Sequence, residues 1–397
     1  MELKKRIGSY VDSILDEYKE IALQIHAHPE VSNHEYFSSR ILADKLKENG
    51  FDVQCDVAGH PTGFSASYKA NKQGPVIVFL AEYDALTGLG HGCGHNIFGA
   101  GSTLAGVALK QIIDEIGGEV RVYGTPGEEG GENGSAKGSF VREGFLKDVD
   151  AAICCHPGTD NYNYATCKTL GCAPVDIEFW GKSSHAASAP EKGINALDAM
   201  IMVYNGINAM RQQLPKDVMI HGVITNGGKA PNSIPDYTAA KFYIRANSMP
   251  SLNDAYQKVE NIVQGAALQT GAKGRMQPYQ NIVENTILTP SFDALFEENL
   301  KLFGSKFTVM EKEVGLGSSD VGNISRIVPT IQPMMGISES PINGHSQEMV
   351  TASCSEKGLN SIGLNAKAMA STAVDLILHP EVLNAIKKEH AENVQKQ

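Results

Sequence analysis

Short apolar runs recur along the first part of this chain with stretches of helical spacing between them, and that alternation restricts the fold more than any other feature. Runs at residues 75–81, 119–123 and 151–154 are too short for buried helices, and the segment 97–116 between the first two has helical length and periodicity. Alternation of this kind predicts a largely parallel sheet with crossover helices. Ahead of it, residues 3–49 carry apolar positions at helical spacing with a break at Pro29, and Gly50 closes the second segment.

Near Leu170 the pattern changes. Strands at 173–180 and 219–226, a polar strand at 238–246, and helices at 195–214 and 251–268 predict an α+β unit. The α/β style then returns, with a helix at 292–303, a strand near 330–336 and a helix at 360–378. The second unit is therefore expected as an insertion at 173–285 within a first domain made of 1–172 and 286–397. A chain of 397 residues has room for both cores.

Composition narrows the function. The formal net charge is −11, from 34 basic and 45 acidic side chains. With no dense basic run, this argues against nucleic acid or an anionic membrane as partner. The apolar run VIVFLA is far shorter than a membrane span. Acidic Asp12, Asp16 and Glu17 stand where a signal peptide would be apolar. Seven scattered cysteines, with Cys154 and Cys155 adjacent, suit reduced thiols. A cytoplasmic protein is the expectation.

Sites in open α/β sheets collect beyond the carboxyl ends of strands. The first run leads into GLGHGCGHN, placing Asp84, His91, Cys93 and His95 near one glycine-rich turn. The second leads into Glu128 and Glu129, the third ends at His156, and the late run VPTIQPMMGI is followed by a loop carrying His345. Imidazole, thiolate and carboxylate are the donors that divalent transition ions take. Cys93 and His95 flank Gly94, so both can face one ion, and Asn96 is expected to cap the following helix. Adjacent glutamates point to different sides, which would let one hold metal while the other handles a proton.

Plainer readings exist for each residue. A lone His185 or His221 is more often structural than a ligand, and Glu-Glu pairs are common on surfaces. Cys93 could be an inert thiol, or a nucleophile paired with a histidine. Residues 318–320 could cap a helix or line a pocket. His26, His28 and His60 lack placement at a strand end and read as structural or peripheral. The coincidence of such loops at four strand ends favours the metal reading.

Taken in order, AEYDALTGLGHGCGHN, GTPGEEGGENGSAKG, CCHPG, GKSSHAASAPEKGINALDAM, ITNGGKAPNSIPD and NGHSQEM resemble the M20 family of metallopeptidases and amidohydrolases over nearly the whole chain. The resemblance is to the branch with a Cys-Gly-His turn, which holds aminoacylase-like amidohydrolases and dipeptidases related to aminoacylase-1-like protein 2. IHAHPEVSNHEYFSS fits the same branch, and Asn96, where much of that branch has Asp, leans toward its dipeptidase-like members.

The resemblance implies an α/β catalytic domain that holds two divalent ions and is interrupted by a lid and dimerisation domain. Its implied metal ligands are Cys93, His95, Glu129, His156 and His345, with Glu128 as general base and acid and Asp84 orienting a ligand imidazole. His221 and Asn232 would reach a substrate carboxylate or developing oxyanion, in the same or the partner's site. The implied reaction is hydrolysis of a small dipeptide or N-acyl amino acid by a homodimer. Zinc or manganese comes first among the ions, with cobalt or nickel also compatible. The alternatives are an N-acyl amino acid deacylase, an aminobenzoyl-glutamate-type amidohydrolase, a cysteine hydrolase using Cys93, and a non-enzymatic binding protein.

Overall fold

The computed structural model describes residues 1–309 and 317–396. Residues 310–316 and 397, within the segment expected to complete the first domain, lie outside the described residues. The chain divides into two compact units, one of residues 1–168 and 286–396, the other of residues 169–285.

The first unit is built on a six-stranded sheet. In spatial order its strands are Asp52–Val57, His60–Lys69, Glu119–Gly124, Val76–Ala81, Ala151–Ile153 and Thr330–Ile331. The last four run parallel, and the first two form an antiparallel hairpin on one edge. The apolar runs do not predict that hairpin, because Asp52–Val57 is mostly exposed and carries no run of its own.

The central strands are buried on both faces, which explains why they read as unbroken apolar runs. Along Val76–Ala81, Ile77, Phe79 and Ala81 enter one core, whereas Val78 and Leu80 enter another. Ala151 and Ile153 face the first core, Ala152 the second. Helix His95–Ile116 fills the first core, joined by Glu2–Ala27 and Glu356–Leu378.

The late apolar run is two strands, not one. Thr330–Ile331 pairs with Ala152–Ile153, and after Pro333 the chain changes sheets, so that Met334–Gly336 pairs with His156–Gly158. Proline has no N–H to continue the ladder, which suits a point of departure. This smaller sheet also contains Asn163–Tyr164 and Phe307–Val309.

The second unit is a four-stranded antiparallel sheet in the order Lys273–Pro278, Gly171–Trp180, Tyr237–Ala246, Met219–Asn226. Helices Ala196–Met210 and Met249–Thr270 bury its apolar face through Val175, Ile177, Phe179, Val203 and Val259. The other face is polar: Asp176 pairs with Lys241, and Glu178 with Arg275. The alternation of buried and more accessible residues along Tyr237–Ala246 follows from a sheet covered on one side only. Among the described residues, no helix is long and apolar enough to cross a membrane.

Candidate metal centre and active site

Parallel register puts several strand ends at one edge of the large sheet. Ala81 pairs with Gly124 and Phe79 with Ile153, so the residues that follow each strand emerge together. Those residues are Glu82 to Asp84, the turn bearing Glu128 and Glu129, and Cys154 to His156.

Asp84 organises this edge. Its carboxylate is buried and accepts from His95 Nδ1 at 2.8 Å and from the Glu129 backbone N–H at 2.9 Å. One aspartate thus fixes the ring of His95 and the start of Glu129, leaving His95 Nε2 directed elsewhere. A carboxylate behind an imidazole sets its tautomer and raises its basicity.

The glycine-rich turn delivers Cys93 and His95 through a conformation that only glycine takes easily. Gly94 has φ of +76°, and a Cβ there would lie 2.8 Å from Pro157. Helix His95–Ile116 starts at His95 rather than after Asn96, and Gly94 occupies the capping position. Asn96 is therefore no cap: its amide is buried and donates to the carbonyls of Ala22 and Ser353. Further along, Gly99 lets the helix lie against the Glu82 backbone, whose carbonyl would be 2.7 Å from an added Cβ.

The expected ligand atoms converge. Cys93, His95 and His156 offer donor atoms within 4.8 Å of one another, as do Cys93, Glu129 and His345. Cys93 belongs to both sets. Cys93 Sγ lies 3.5 Å from His156 Nε2, while His156 Nδ1 contacts the Pro157 carbonyl at 2.8 Å. His345 Nε2 lies 3.4 Å from Glu129 Oε2, from a backbone with φ of +53°. A non-glycine residue in that region is held there by its surroundings, here partly by the His345 N–H to Gly92 carbonyl bond of 3.0 Å.

Buried polar atoms without hydrogen bonds cost free energy unless something satisfies them. His95 Nε2, Glu82 Oε2 and Glu129 Oε1 are such atoms. Their chemistry, with the thiol of Cys93, is what a divalent transition ion accepts, so the residues present fit the metal that the resemblance implies.

Glu128 diverges from Glu129 toward another side. Its Oε2 is 4.0 Å from His95 Nε2, and it forms a third donor set with Glu82 and His95. Burial, then the charges of Glu82 and Glu129, holds its pKa well above the ordinary carboxylate range. Burial and the neighbouring His95 push His156 down to about 4, so its imidazole is neutral at pH 7. Burial and Glu129 push the Cys93 thiol up, the opposite of what a nucleophilic cysteine requires.

Three participants carry too little local signal to be found from sequence with the others. Glu82 lies two residues before Asp84 beyond the end of the strand; Lys137 is fully buried, 2.8 Å from Glu82 Oε1 and 2.6 Å from Asp320 Oδ1. Glu35, also buried, accepts from the Gly127 N–H at 2.9 Å and the Thr62 hydroxyl at 2.7 Å, tethering the turn that carries Glu128. Of these, only Glu82 has a sequence cue, its place directly after an apolar run. Asp320 precedes the short helix Val321–Ser325, but its side chain serves Lys137 instead of capping; Ser319 Oγ accepts from Val321 N–H at 3.4 Å.

Other histidines make contacts outside these donor sets. His26 contacts the Val350 carbonyl, His60 contacts Asn33, and His91 donates to the Ile25 carbonyl. His185 Nδ1 accepts from the N–H groups of Ala187 and Ser188. In the second unit, His221 sits on the edge strand Met219–Asn226 with its ring against Tyr243, and Asn232 is exposed in a turn, its carbonyl accepting from the Ala186 N–H.

Comparison with known proteins places this geometry in context. Residues 169–271 match the peptidase dimerisation domain model of the M20 group. The chain is 31% identical to the Xaa-Arg dipeptidase of Mus musculus, over 98% of its own length and 92% of that protein. It is also 31% identical to a p-aminobenzoyl-glutamate hydrolase chain of Escherichia coli, over 98% of this protein and 95% of that one. Among solved structures it resembles the Bacillus subtilis YXEP protein, described as a dinuclear metal binding peptidase of the M20 family. That likeness has a TM-score of 0.64 at 18% identity and covers 92% of this chain and 99% of the other.

Proposed function

This chain belongs to the M20 family of metallopeptidases and amidohydrolases, and from that premise we propose how its own residues hydrolyse an amide bond. The observation that carries the reading is the convergence of two donor triads on Cys93, with the buried carboxyl of Glu128 beside them.

Cys93, His95, Glu129, His156 and His345 would hold two divalent ions, zinc or manganese before cobalt or nickel. Such ions supply Lewis acidity, which polarises the scissile carbonyl and makes water acidic enough to lose a proton at neutral pH. Glu128 takes that proton and returns it to the amine nitrogen as the C–N bond breaks. Asp84 holds His95 and the Glu129 backbone in register throughout.

The substrate is a dipeptide or an N-acyl amino acid, with dipeptides first on the likeness to Xaa-Arg dipeptidase. The likeness to the aminobenzoyl-glutamate enzyme supports the second class. His221 and Asn232 bind the substrate carboxylate or the developing oxyanion, in their own or a partner's site. The protein is a cytoplasmic homodimer joined through residues 169–285. Supporting this, the strand Met219–Asn226 is an open sheet edge carrying exposed Val223 and Ile224.

The test is metal content and hydrolysis on one purified sample, with dipeptides and N-acyl amino acids before and after chelation. Activity that disappears with the metal and returns on add-back is expected. Metal-loaded protein inert toward every amide would favour a binding protein, and chelator-insensitive activity blocked by a thiol alkylator would favour Cys93 as nucleophile.

A further inference from the structure

Beside the five expected ligands stands a carboxylate that neither the motif resemblance nor the proposed proton transfers employ. Glu82 is fully buried, and its two oxygens face different groups. Oε1 lies 2.8 Å from Lys137 Nζ, and Oε2 lies 3.2 Å from His95 Nε2.

Lys137 is in turn fixed from its far side. Its Nζ contacts Asp320 Oδ1 at 2.6 Å and its backbone N–H donates to Asp320 Oδ2 at 3.1 Å. The ammonium cannot follow a wandering Glu82, so it acts as a fixed post that orients the carboxylate with Oε2 toward His95. Glu82 and Asp320 share this one ammonium, which leaves a net negative charge in a region closed to water. Buried charge persists when it is paired or ligates metal.

Two further atoms point the same way. His95 Nδ1 is committed to Asp84, so Nε2 is the free donor, and it is buried without a hydrogen bond. Glu82 Oε2 beside it is likewise buried without one. With Glu128, these atoms form a donor set within 4.8 Å.

We propose that Glu82 is a sixth protein ligand of the metal centre, bound through Oε2 to the ion at His95 and held in that pose by the Lys137–Asp320 pair. This rests on the metal reading above and adds a carboxylate donor to one ion only. The ion at His95 would then gain a carboxylate beside the Cys93 thiol and the His95 and His156 imidazoles, as Glu129 supplies one beside Cys93 and His345.

Cobalt(II) loading of the full chain tests this, because its visible d–d bands report donor type and coordination number independently of turnover. Titration into metal-free wild-type protein should fill two sites. Glu82→Gln should weaken one site at least tenfold and change the band positions or intensities at full loading. Glu82→Asp keeps the charge but shortens the reach; it should also change the bands, and it keeps the proposal testable should the glutamine variant fail to fold. Unchanged affinity and spectrum in both variants would overturn the proposal, and so would weakened binding with a wild-type spectrum at saturation, which marks a residue outside the coordination sphere. Wild-type protein that binds no cobalt would defeat the metal reading itself, a distinguishable result.

Discussion

The six-stranded sheet of the first unit and the sheet of the second spend their polar residues in opposite ways. In the first unit the central strands are covered on both faces, and polar side chains are displaced to the strand ends, where fully buried Glu82 and Asp84 meet the largely buried Glu128, Glu129 and His156. In the second unit one face is open, and charged residues such as Asp176, Glu178 and Lys241 line it in solvent-accessible pairs. Burial on both faces concentrates chemistry at one edge, while burial on one face spreads charge over the open one.

The contrast predicts unequal responses to losing one lysine in each unit. Lys137→Met strands Glu82 and Asp320 in the interior, and removing one partner of a buried pair costs about 3–5 kcal/mol. Denaturant unfolding measures it; a loss below about 1 kcal/mol would break the comparison.

Next in size is Gly94→Ala. The substitution forces a side chain into positive φ and against Pro157, a strain of about 1–3 kcal/mol, and it should lower both stability and metal retention because Cys93 and His95 flank it. An alanine variant with unchanged melting temperature and metal content would show the turn to be more accommodating than its geometry implies.

Acidity separates the units by sign. Burial and the nearby charge of Asp84 push Glu35 up to about 8. Its native form therefore binds a proton more tightly than the unfolded chain, and its contribution to stability falls as pH rises from about 4.5 to about 8. Glu35→Gln should gain in melting temperature relative to wild type across that window. Glu178 behaves in reverse: burial would raise its pKa, but hydrogen bonds from Tyr237 and Arg275 outweigh that and lower it. Its stabilisation is present above the ordinary glutamate pKa and is lost on acidification. Melting curves of the two glutamine variants against pH should diverge from wild type in opposite directions, and a shared direction would refute the assignment.

The smallest effect belongs to Lys241→Met. Its partner Asp176 is partly accessible and Lys241 itself is about half exposed, with side-chain exposures of 27% and 47%. An exposed pair contributes about 0–1 kcal/mol, screened further by salt. A loss approaching that of Lys137→Met would erase the distinction between the two units.

Legibility followed the range of the interactions. Strands buried on both faces announce themselves as apolar runs, and the donors beyond their ends can be read directly from residue type and position. Glu82 has the look of the ordinary end of such a run, because its partners Lys137 and Asp320 lie far away along the chain. Asn96 has the composition of a helix cap, yet two distant carbonyls claim its amide. The strands Met334–Gly336 and His156–Gly158 are too short to carry a period, and pairing with segments distant in sequence defines them. Glu35 acts through a backbone N–H and a hydroxyl from other segments, and no local pattern records that.

The most direct test of the central claim is paired metal analysis and steady-state hydrolysis of Glu128→Gln beside wild type. Loss of a general base and acid costs roughly a hundredfold to ten-thousandfold in rate. The geometry predicts a variant that retains two divalent ions per chain and loses turnover by that factor. Near-normal turnover with the metal in place would contradict it.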